Sequence, residues 1–177
     1  WSSLVGSEMC IRDSPDGDPS GWKGFIRDEP LLVSADFFSA IHNLGWTWGF
    51  VSGAEPPSAR FVLEQRLRLA TPPLIAMGDA PDKPDPRGLI QLSNNLLSDE
   101  SGGTVAYLGD TVADVQTVVN ARSACTERRW ISLAVAPPHL RPGSPERRAY
   151  EQQLRDAGAD QILPDTRSAT QWLERQT

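Results

Sequence analysis

Short apolar runs alternate with amphipathic helical segments along most of this chain, and no other feature of the sequence constrains its fold as strongly. The helical segments carry apolar residues at spacings of three and four, whereas the intervening runs are apolar on both faces. A strand of that kind needs cover on both sides of its sheet. The sequence therefore predicts a doubly wound, mostly parallel α/β domain. The predicted strands cover residues 46–51, 74–77, 105–108, 130–135 and 161–163.

Polar residues directly after these strands are the candidate site residues, because ligands of such sheets bind beyond the carboxyl ends of the strands. Ser52 and Gly53 follow the run 46–51. A hydroxyl at a strand end, together with neighbouring backbone N–H groups, can bind a phosphoryl oxygen. The alternative interpretation is an ordinary Ser-Gly turn.

Lys83 follows the next strand, in the segment DKPDP. The chain contains 15 arginines but only two lysines, Lys23 and Lys83. A compact ammonium can neutralise a carboxylate and a phosphate together without imposing the planar fork of a guanidinium. The alternative is a solvated charge beside the helix start predicted at Asp85 and Pro86.

Asp110 and Asp114 follow the strand 105–108, in the segment GDTVAD. Residues four apart lie on one face of a helix, so both carboxylates can face one point. Carboxylate oxygens are the ligands that Mg²⁺ prefers, and this spacing therefore indicates a magnesium site. The alternative is that Asp110 caps the helix and Asp114 is an exposed acid in its first turn.

The order of these three motifs resembles that of the haloacid dehalogenase-like hydrolase superfamily. FVSG matches the second motif of the superfamily, DKPDP the third and GDTVAD the fourth. The resemblance covers about residues 28–177. Phrases such as GFVSGA and RFVLEQRL are similar to an IA-type subfamily with a helical cap, known mainly from cyanobacteria. The resemblance implies a Rossmann-like core and a magnesium-dependent phosphohydrolase that acts on a small phosphorylated metabolite.

The resemblance also implies a role for each matched residue. Ser52 and Gly53 are expected to hold the phosphoryl oxygens. Lys83 is expected to neutralise both the nucleophile and the phosphate, so that Ser52 and Lys83 are the catalytic residues present. Asp110 and Asp114 are expected to hold Mg²⁺, directly or through water. His42 and His139 match no role in the superfamily.

The first motif of the superfamily, a strand followed by Asp-x-Asp, has no counterpart before Ser52. Its first Asp attacks the phosphoryl group to form an aspartyl-phosphate, and its second acts as general acid and base. The nearest imitation is Asp16-Gly17-Asp18, which follows no apolar strand. The sequence therefore predicts a fragment without its nucleophile and without phosphatase turnover. It also predicts a sheet that lacks its central strand and is left with two unpaired inner edges.

Residues 4–13 read LVGSEMCIRD, which is similar to one reading frame of a transposon-type sequencing-library adapter. We therefore expect residues 1–14 to be non-native, although a native disordered tail is the alternative. The expected organisation is then a remnant of the cap or linker over 15–33 and a partial core over 34–177. The cap normally selects the substrate. Because most of the cap is expected to be missing, the identity of the substrate stays open.

The formal net charge of −6 argues against a nucleic-acid partner, because phosphate backbones are bound by clustered cations. No run approaches the roughly 20 apolar residues that cross a bilayer, so no membrane partner is expected. Two cysteines form no disulfide framework, which fits a cytoplasmic protein. The oligomeric state and the purpose of the proline-rich loop 136–145 stay open.

Two other functions remain. The first is a binding module that kept the fold but lost catalysis. The presence of Lys83, Asp110 and Asp114 argues against it, because a non-catalytic relative does not need all three. The second is a phosphomutase or a carbon–halogen hydrolase on the same scaffold. The pair of aspartates favours phosphate chemistry over dehalogenation, because attack on a carbon–halogen bond needs no Mg²⁺.

Overall fold

The computed structural model describes residues 31–97 and 102–177 and the backbone of Ser2–Ser7. The strands are β1 (Ser2–Ser7), β2 (Trp46–Val51), β3 (Leu74–Ile75), β4 (Thr104–Gly109), β5 (Arg129–Val135) and β6 (Gln161–Leu163). The helices are α1 (Ala35–Asn43), α2 (Pro56–Arg60, continued by a π-helical segment over Phe61–Arg66), α3 (Arg87–Leu97), α4 (Val112–Ala124), α5 (Pro145–Ala157) and α6 (Ala169–Glu174).

The described strands form one six-stranded sheet in the order β3-β2-β1-β4-β5-β6, and every neighbouring pair is parallel. The strand order reverses direction beside β1, which is the switch point typical of doubly wound sheets. The predicted fold class is therefore confirmed.

The centre of the sheet differs from the sequence-based expectation, which left a gap between β2 and β4. The backbone of β1 fills that position, with Ser2 opposite Trp46 on one side and Thr104 on the other. Two facing strand edges offer a row of unpaired N–H and C=O groups, and any extended segment can satisfy them. The expectation of two half-sheets is thus wrong for this structure, because main-chain pairing does not require the missing motif.

Residues 8–30 lie outside the described residues, and with them Asp16-Gly17-Asp18 and nearly all of the expected cap remnant over 15–33. The proposed division at residues 1–14, 15–33 and 34–177 stays a prediction.

The two faces of the sheet bury separate sets of side chains, because successive residues of a strand point to opposite faces. In β4, Ala106 and Leu108 join a cluster with residues of α1 and α6. Val105 and Tyr107 face the other way and join a cluster with residues of α3 and α4. Helices therefore cover both faces of the sheet, as the doubly apolar strands predict.

The ends of α5 follow rules that can be read from the sequence. Ser144 precedes the helix and its hydroxyl accepts a hydrogen bond from the Arg147 N–H at 3.2 Å, while Pro145 takes the first helical position. Gly158 follows the helix with φ of +111°, a conformation that is strained for residues with a Cβ. From these signals the sequence predicts a helix over residues 145–157, and the observed bounds of α5 match that range.

Among the described residues, no helix combines the length and the apolar character needed to span a bilayer.

Candidate active site

The predicted site residues lie at the carboxyl-end edge of the sheet. They come after β2, after β4 and in the loop before α3. Ser52 directly follows β2, and Asp110 directly follows β4. The backbone of β1 lies between these two strands. Lys83 comes from the loop between β3 and α3 and reaches the side chain of Asp114 in α4. The structure therefore brings Lys83 and the GDTVAD segment together, with Ser52 on the far side of β1.

Asp114 is the most heavily bonded side chain of this group and is 1% exposed. Its Oδ1 accepts hydrogen bonds from Lys83 Nζ at 2.6 Å and from the Tyr107 hydroxyl at 3.1 Å. Its Oδ2 accepts from the Asp110 N–H at 3.2 Å, the Thr111 N–H at 3.0 Å and the Thr111 hydroxyl at 2.7 Å. Five donors thus surround a carboxylate that offers about four lone-pair sites.

Helix α4 begins with a capping box that involves the same carboxylate. The Thr111 hydroxyl accepts from the Asp114 N–H at 3.1 Å, while the Asp114 side chain accepts from the Thr111 N–H. The residue that caps α4 is therefore Thr111. The alternative interpretation of the sequence, with Asp110 as the cap and Asp114 as an exposed acid, is wrong.

Gly109 makes room for the Asp114 side chain. A Cβ at this position would lie 2.3 Å from the Cβ and 2.6 Å from the Cγ of Asp114. Because the helix start folds back over the end of β4, only a residue without a side chain fits there. The glycine before Asp110 is thus needed for the placement of Asp114.

Two polar contacts fix the loop that carries Lys83. The Asn120 side chain, two turns into α4, donates from Nδ2 to the Pro84 carbonyl at 2.9 Å. The Lys83 side chain itself is 19% exposed, whereas its partner Asp114 is buried. The ammonium therefore bridges the buried carboxylate and the solvent-facing edge of the sheet, where a ligand could meet it.

The pKa values of the two aspartates shift in opposite directions. Burial pushes the pKa of Asp114 upward, but the Lys83 charge and the hydrogen bonds from Lys83 and Thr111 outweigh it, so the pKa falls below 3.8. Burial raises the pKa of Asp110 above 3.8, and the negative charge of Asp114 raises it further. Asp110 is therefore the carboxylate whose ionised form lacks a strong compensating partner.

The loop 136–145, whose purpose the sequence left open, borders the site. The charge of His139 acts on the Asp110 carboxyl and lowers its pKa, against the larger effect of burial. The Tyr150 hydroxyl in α5 donates to the Asp110 carbonyl at 2.6 Å. Arg147, 7% exposed, donates to the Leu140 carbonyl at 3.2 Å and so holds the loop against α5.

Ser52 and Gly53 form a turn at the end of β2. The Ser52 N–H donates to the Ile75 carbonyl at 2.8 Å, and its hydroxyl accepts from the Ala54 N–H at 3.0 Å. A Cβ at Gly53 would meet no atom within 4 Å, so neighbouring atoms do not require glycine there. The turn therefore has open space beside it, which is consistent with either interpretation of the Ser-Gly pair.

The residues fit Mg²⁺ unequally. Asp110 offers a half-buried carboxylate with a raised pKa, and a cation would relieve the cost of its ionisation. Asp114 does not fit direct coordination, because its two oxygens already accept five hydrogen bonds. In the part of the chain that the structure describes, no group of three or more His, Cys, Asp and Glu side chains could hold a metal ion. Of the two predicted metal ligands, only Asp110 therefore fits direct coordination of Mg²⁺.

Sequence reasoning missed several residues that shape the site. The capping box at Thr111 could have been found, because Thr-x-x-Asp is one form of that motif. Tyr107 and Asn120 gave no local signal, since their partners lie 7 and 36 residues away along the chain. His139, expected to have no role, lies close enough to act electrostatically on Asp110.

No protein-family model and no curated protein sequence matches this chain. Solved structures do. One is a phosphonoacetaldehyde hydrolase-like protein from Oleispira antarctica, with a TM-score of 0.60, 16% identity, and coverage of 80% of this chain and 56% of that chain. Another is a HAD-superfamily hydrolase from Ehrlichia chaffeensis, with a TM-score of 0.54, 13% identity, and coverage of 79% and 55%.

A third similar structure is D,D-heptose 1,7-bisphosphate phosphatase from B. bronchiseptica, complexed with magnesium and phosphate. Its TM-score is 0.56, with 12% identity and coverage of 100% of both chains. This chain spans little more than half the length of the first two structures. The subfamily with a helical cap stays a prediction, because these likenesses concern the fold. The fold itself is that of the haloacid dehalogenase-like hydrolases, as the three motifs predict.

Proposed function

We propose that this chain is part of a magnesium-dependent phosphohydrolase that acts on a small phosphorylated metabolite. The observation that carries the proposal is the ion pair between the partly exposed Lys83 and the buried Asp114, beside Asp110 at the carboxyl-end edge of the sheet. A partly exposed ammonium held on a buried carboxylate is suited to an anionic ligand, because it is oriented before the ligand arrives. The similar structures support the proposal through their fold.

The proposed roles follow from these environments. Ser52 and Gly53 bind phosphoryl oxygens with the hydroxyl and with backbone N–H groups. Lys83 neutralises the phosphate and the attacking carboxylate, and Asp114 holds Lys83 in place. Asp110 is the ligand that binds Mg²⁺, which would offset the negative charge of the phosphoryl group when bound.

The nucleophile belongs, in this proposal, to sequence outside the described residues. Within residues 31–97 and 102–177, no strand is followed by Asp-x-Asp. Without that carboxylate the chain can bind phosphate but cannot form an aspartyl-phosphate. We therefore expect the isolated chain to bind its ligand and to show no meaningful turnover. Its partners are small phosphorylated molecules, and its location is cytoplasmic.

Binding of inorganic phosphate to the purified chain, measured by isothermal titration calorimetry with and without Mg²⁺, tests the proposal. Lys83→Gln should weaken phosphate binding about tenfold or more, because it removes a charge-assisted hydrogen bond. Asp110→Asn should abolish the gain in affinity that Mg²⁺ provides. Asp85→Asn is the matched control, since Asp85 lies on the same loop as Lys83 but pairs with Arg87.

Two results would contradict the proposal. Phosphate binding that is unchanged by Lys83→Gln would mean that phosphate does not bind at this edge of the sheet. Robust Mg²⁺-dependent hydrolysis of p-nitrophenyl phosphate by the same preparation would show that the nucleophile is present after all.

A further inference from the structure

Tyr107 is a buried tyrosine in the middle of a core strand, and its hydroxyl ends at the candidate site. The residue is 1% exposed, and its ring packs in the cluster between the sheet and helices α3 and α4. A phenylalanine would fill the same apolar space. The hydroxyl therefore needs a reason beyond packing, since burying it has a cost that only a hydrogen bond offsets.

The Tyr107 hydroxyl shares its acceptor with Lys83. It donates to Oδ1 of Asp114 at 3.1 Å, and Lys83 Nζ donates to the same oxygen at 2.6 Å. The other oxygen, Oδ2, accepts from groups of Asp110 and Thr111 at the start of α4. The two oxygens thus have different tasks: Oδ2 belongs to the helix start, and Oδ1 joins a core strand to the lysine.

A lysine side chain needs a fixed acceptor if it is to present its ammonium in one place. Its four-carbon stem carries about 2 kcal/mol of rotamer entropy that ordering must overcome. The Asp114 Oδ1 atom is buried and accepts a hydrogen bond from a residue of β4, and both fix it more firmly than the start of α4 alone could. Strand residues are also among the least mobile parts of a domain, because their backbone pairs on both sides.

We propose that Tyr107 is a positioning residue, which fixes the Asp114 oxygen that holds Lys83. It acts through Asp114 and does not touch the ligand. This inference rests on the proposed function only for its consequence, the binding of phosphate by Lys83. The placement of Lys83 can be measured whether or not the protein binds phosphate.

The composition of the chain makes that measurement simple. Only two lysines and two tyrosines occur in the sequence. NMR spectra of the lysine ammonium groups in isotopically labelled protein therefore contain at most two side-chain signals, and Lys23→Arg assigns them. An ammonium held at 2.6 Å by a buried carboxylate should give a signal that is protected from exchange with water.

The variant Tyr107→Phe should shift the Lys83 ammonium signal and increase its exchange with water several-fold. Tyr150→Phe is the matched control, because Tyr150 donates to the Asp110 carbonyl and not to Asp114. It should leave the Lys83 signal where it is. If the hydrogen bond of Tyr107 serves only to satisfy its own hydroxyl, Tyr107→Phe would lower stability without moving the Lys83 signal. That result would overturn the inference.

A reciprocal measurement covers the case in which Tyr107→Phe folds poorly. Lys83→Arg should shift the ring signals of Tyr107 in protein labelled at tyrosine, and it should leave those of Tyr150 unchanged. Unchanged Tyr107 signals would again overturn the inference. Binding of inorganic phosphate then separates the positioning role of Tyr107 from the proposed function. If the Lys83 signal moves in Tyr107→Phe but the chain binds no phosphate, the positioning role is supported and the proposed function is contradicted.

Discussion

Two aspartates near helix starts, Asp85 before α3 and Asp114 in α4, each accept a backbone N–H and each pair with a cation. Asp85 accepts from the Arg87 N–H at 2.9 Å and pairs with the Arg87 guanidinium at 2.8 Å. The Arg87 side chain is 71% exposed, and its partner lies two residues away. Asp114 pairs with a cation 31 residues away and is 1% exposed.

The difference lies in what surrounds the carboxylate. Asp85 meets one flexible arginine in solvent, where an ion pair contributes little. Asp114 meets a strand hydroxyl, a helix start and a lysine from another loop, and its carboxylate is excluded from water although Lys83 is 19% exposed. Similar local sequence, an acid beside a helix start, thus gives a solvated cap in one place and a fixed centre in the other. Only tertiary packing separates the two outcomes.

Lys83→Met should lower the free energy of unfolding more than any other variant proposed, because it leaves the buried Asp114 carboxylate without its counter-charge. Removal of one partner of a buried pair typically costs about 3–5 kcal/mol in the free energy of unfolding. We expect the lower end, about 3 kcal/mol, since four other donors to Asp114 remain. Urea denaturation measures it, and a change near zero would mean that the ion pair is not buried in solution.

Gly109→Ala should have the next largest effect, because its Cβ would overlap the Asp114 side chain at 2.3 Å. Overpacking of this kind costs about 1–3 kcal/mol. Gly53→Ala, where a Cβ meets nothing within 4 Å, is the control and should leave the unfolding midpoint in place. Equal midpoints for the two variants would contradict the close packing of Asp114 on β4.

The pH dependence of stability should have opposite signs at the two aspartates of GDTVAD, in metal-free buffer. The pKa of Asp114 is lowered in the folded state, so its contribution is present above 3.8 and is lost as the pH falls through the folded value. The pKa of Asp110 is raised by burial, so its ionised form destabilises the fold once the pH exceeds 3.8.

Melting temperatures across the acid range check these signs. Asp114→Asn should lower the melting temperature at neutral pH, and Asp110→Asn should raise it slightly. Both differences should shrink as the pH is lowered. A lower melting temperature for Asp110→Asn at neutral pH would mean that its carboxylate is already stabilised by a partner.

Arg87→Gln should have the smallest effect of these variants on stability. Its guanidinium pairs with Asp85 at the surface, and water and salt compete with that pair. We expect no measurable change in the unfolding midpoint at physiological salt. A loss as large as that of Lys83→Met would show that exposure does not distinguish the two pairs.

The sequence predicts what depends on local pattern and on the shared edge of a parallel sheet. The strands, the bounds of α5, and the meeting of Lys83 with the GDTVAD segment follow from periodicity, capping residues and strand ends. The contact between Asn120 and Pro84 could not be predicted, because it depends on how α4 packs against a distant loop. The sharing of one Asp114 oxygen by Tyr107 and Lys83 likewise required side-chain directions that no periodicity gives.

The central position of β1 affects how the protein reaches its folded state. Ser2 pairs with Trp46 and with Thr104, so the middle of the sheet joins three segments that lie far apart along the chain. Closing such long loops costs entropy before the non-local contacts form, and sheets built from distant parallel strands fold slowly. The edge pairs, such as β5 with β6, span shorter loops. We expect amide exchange to show the pairing of β1 as the last part of the sheet to be protected during refolding.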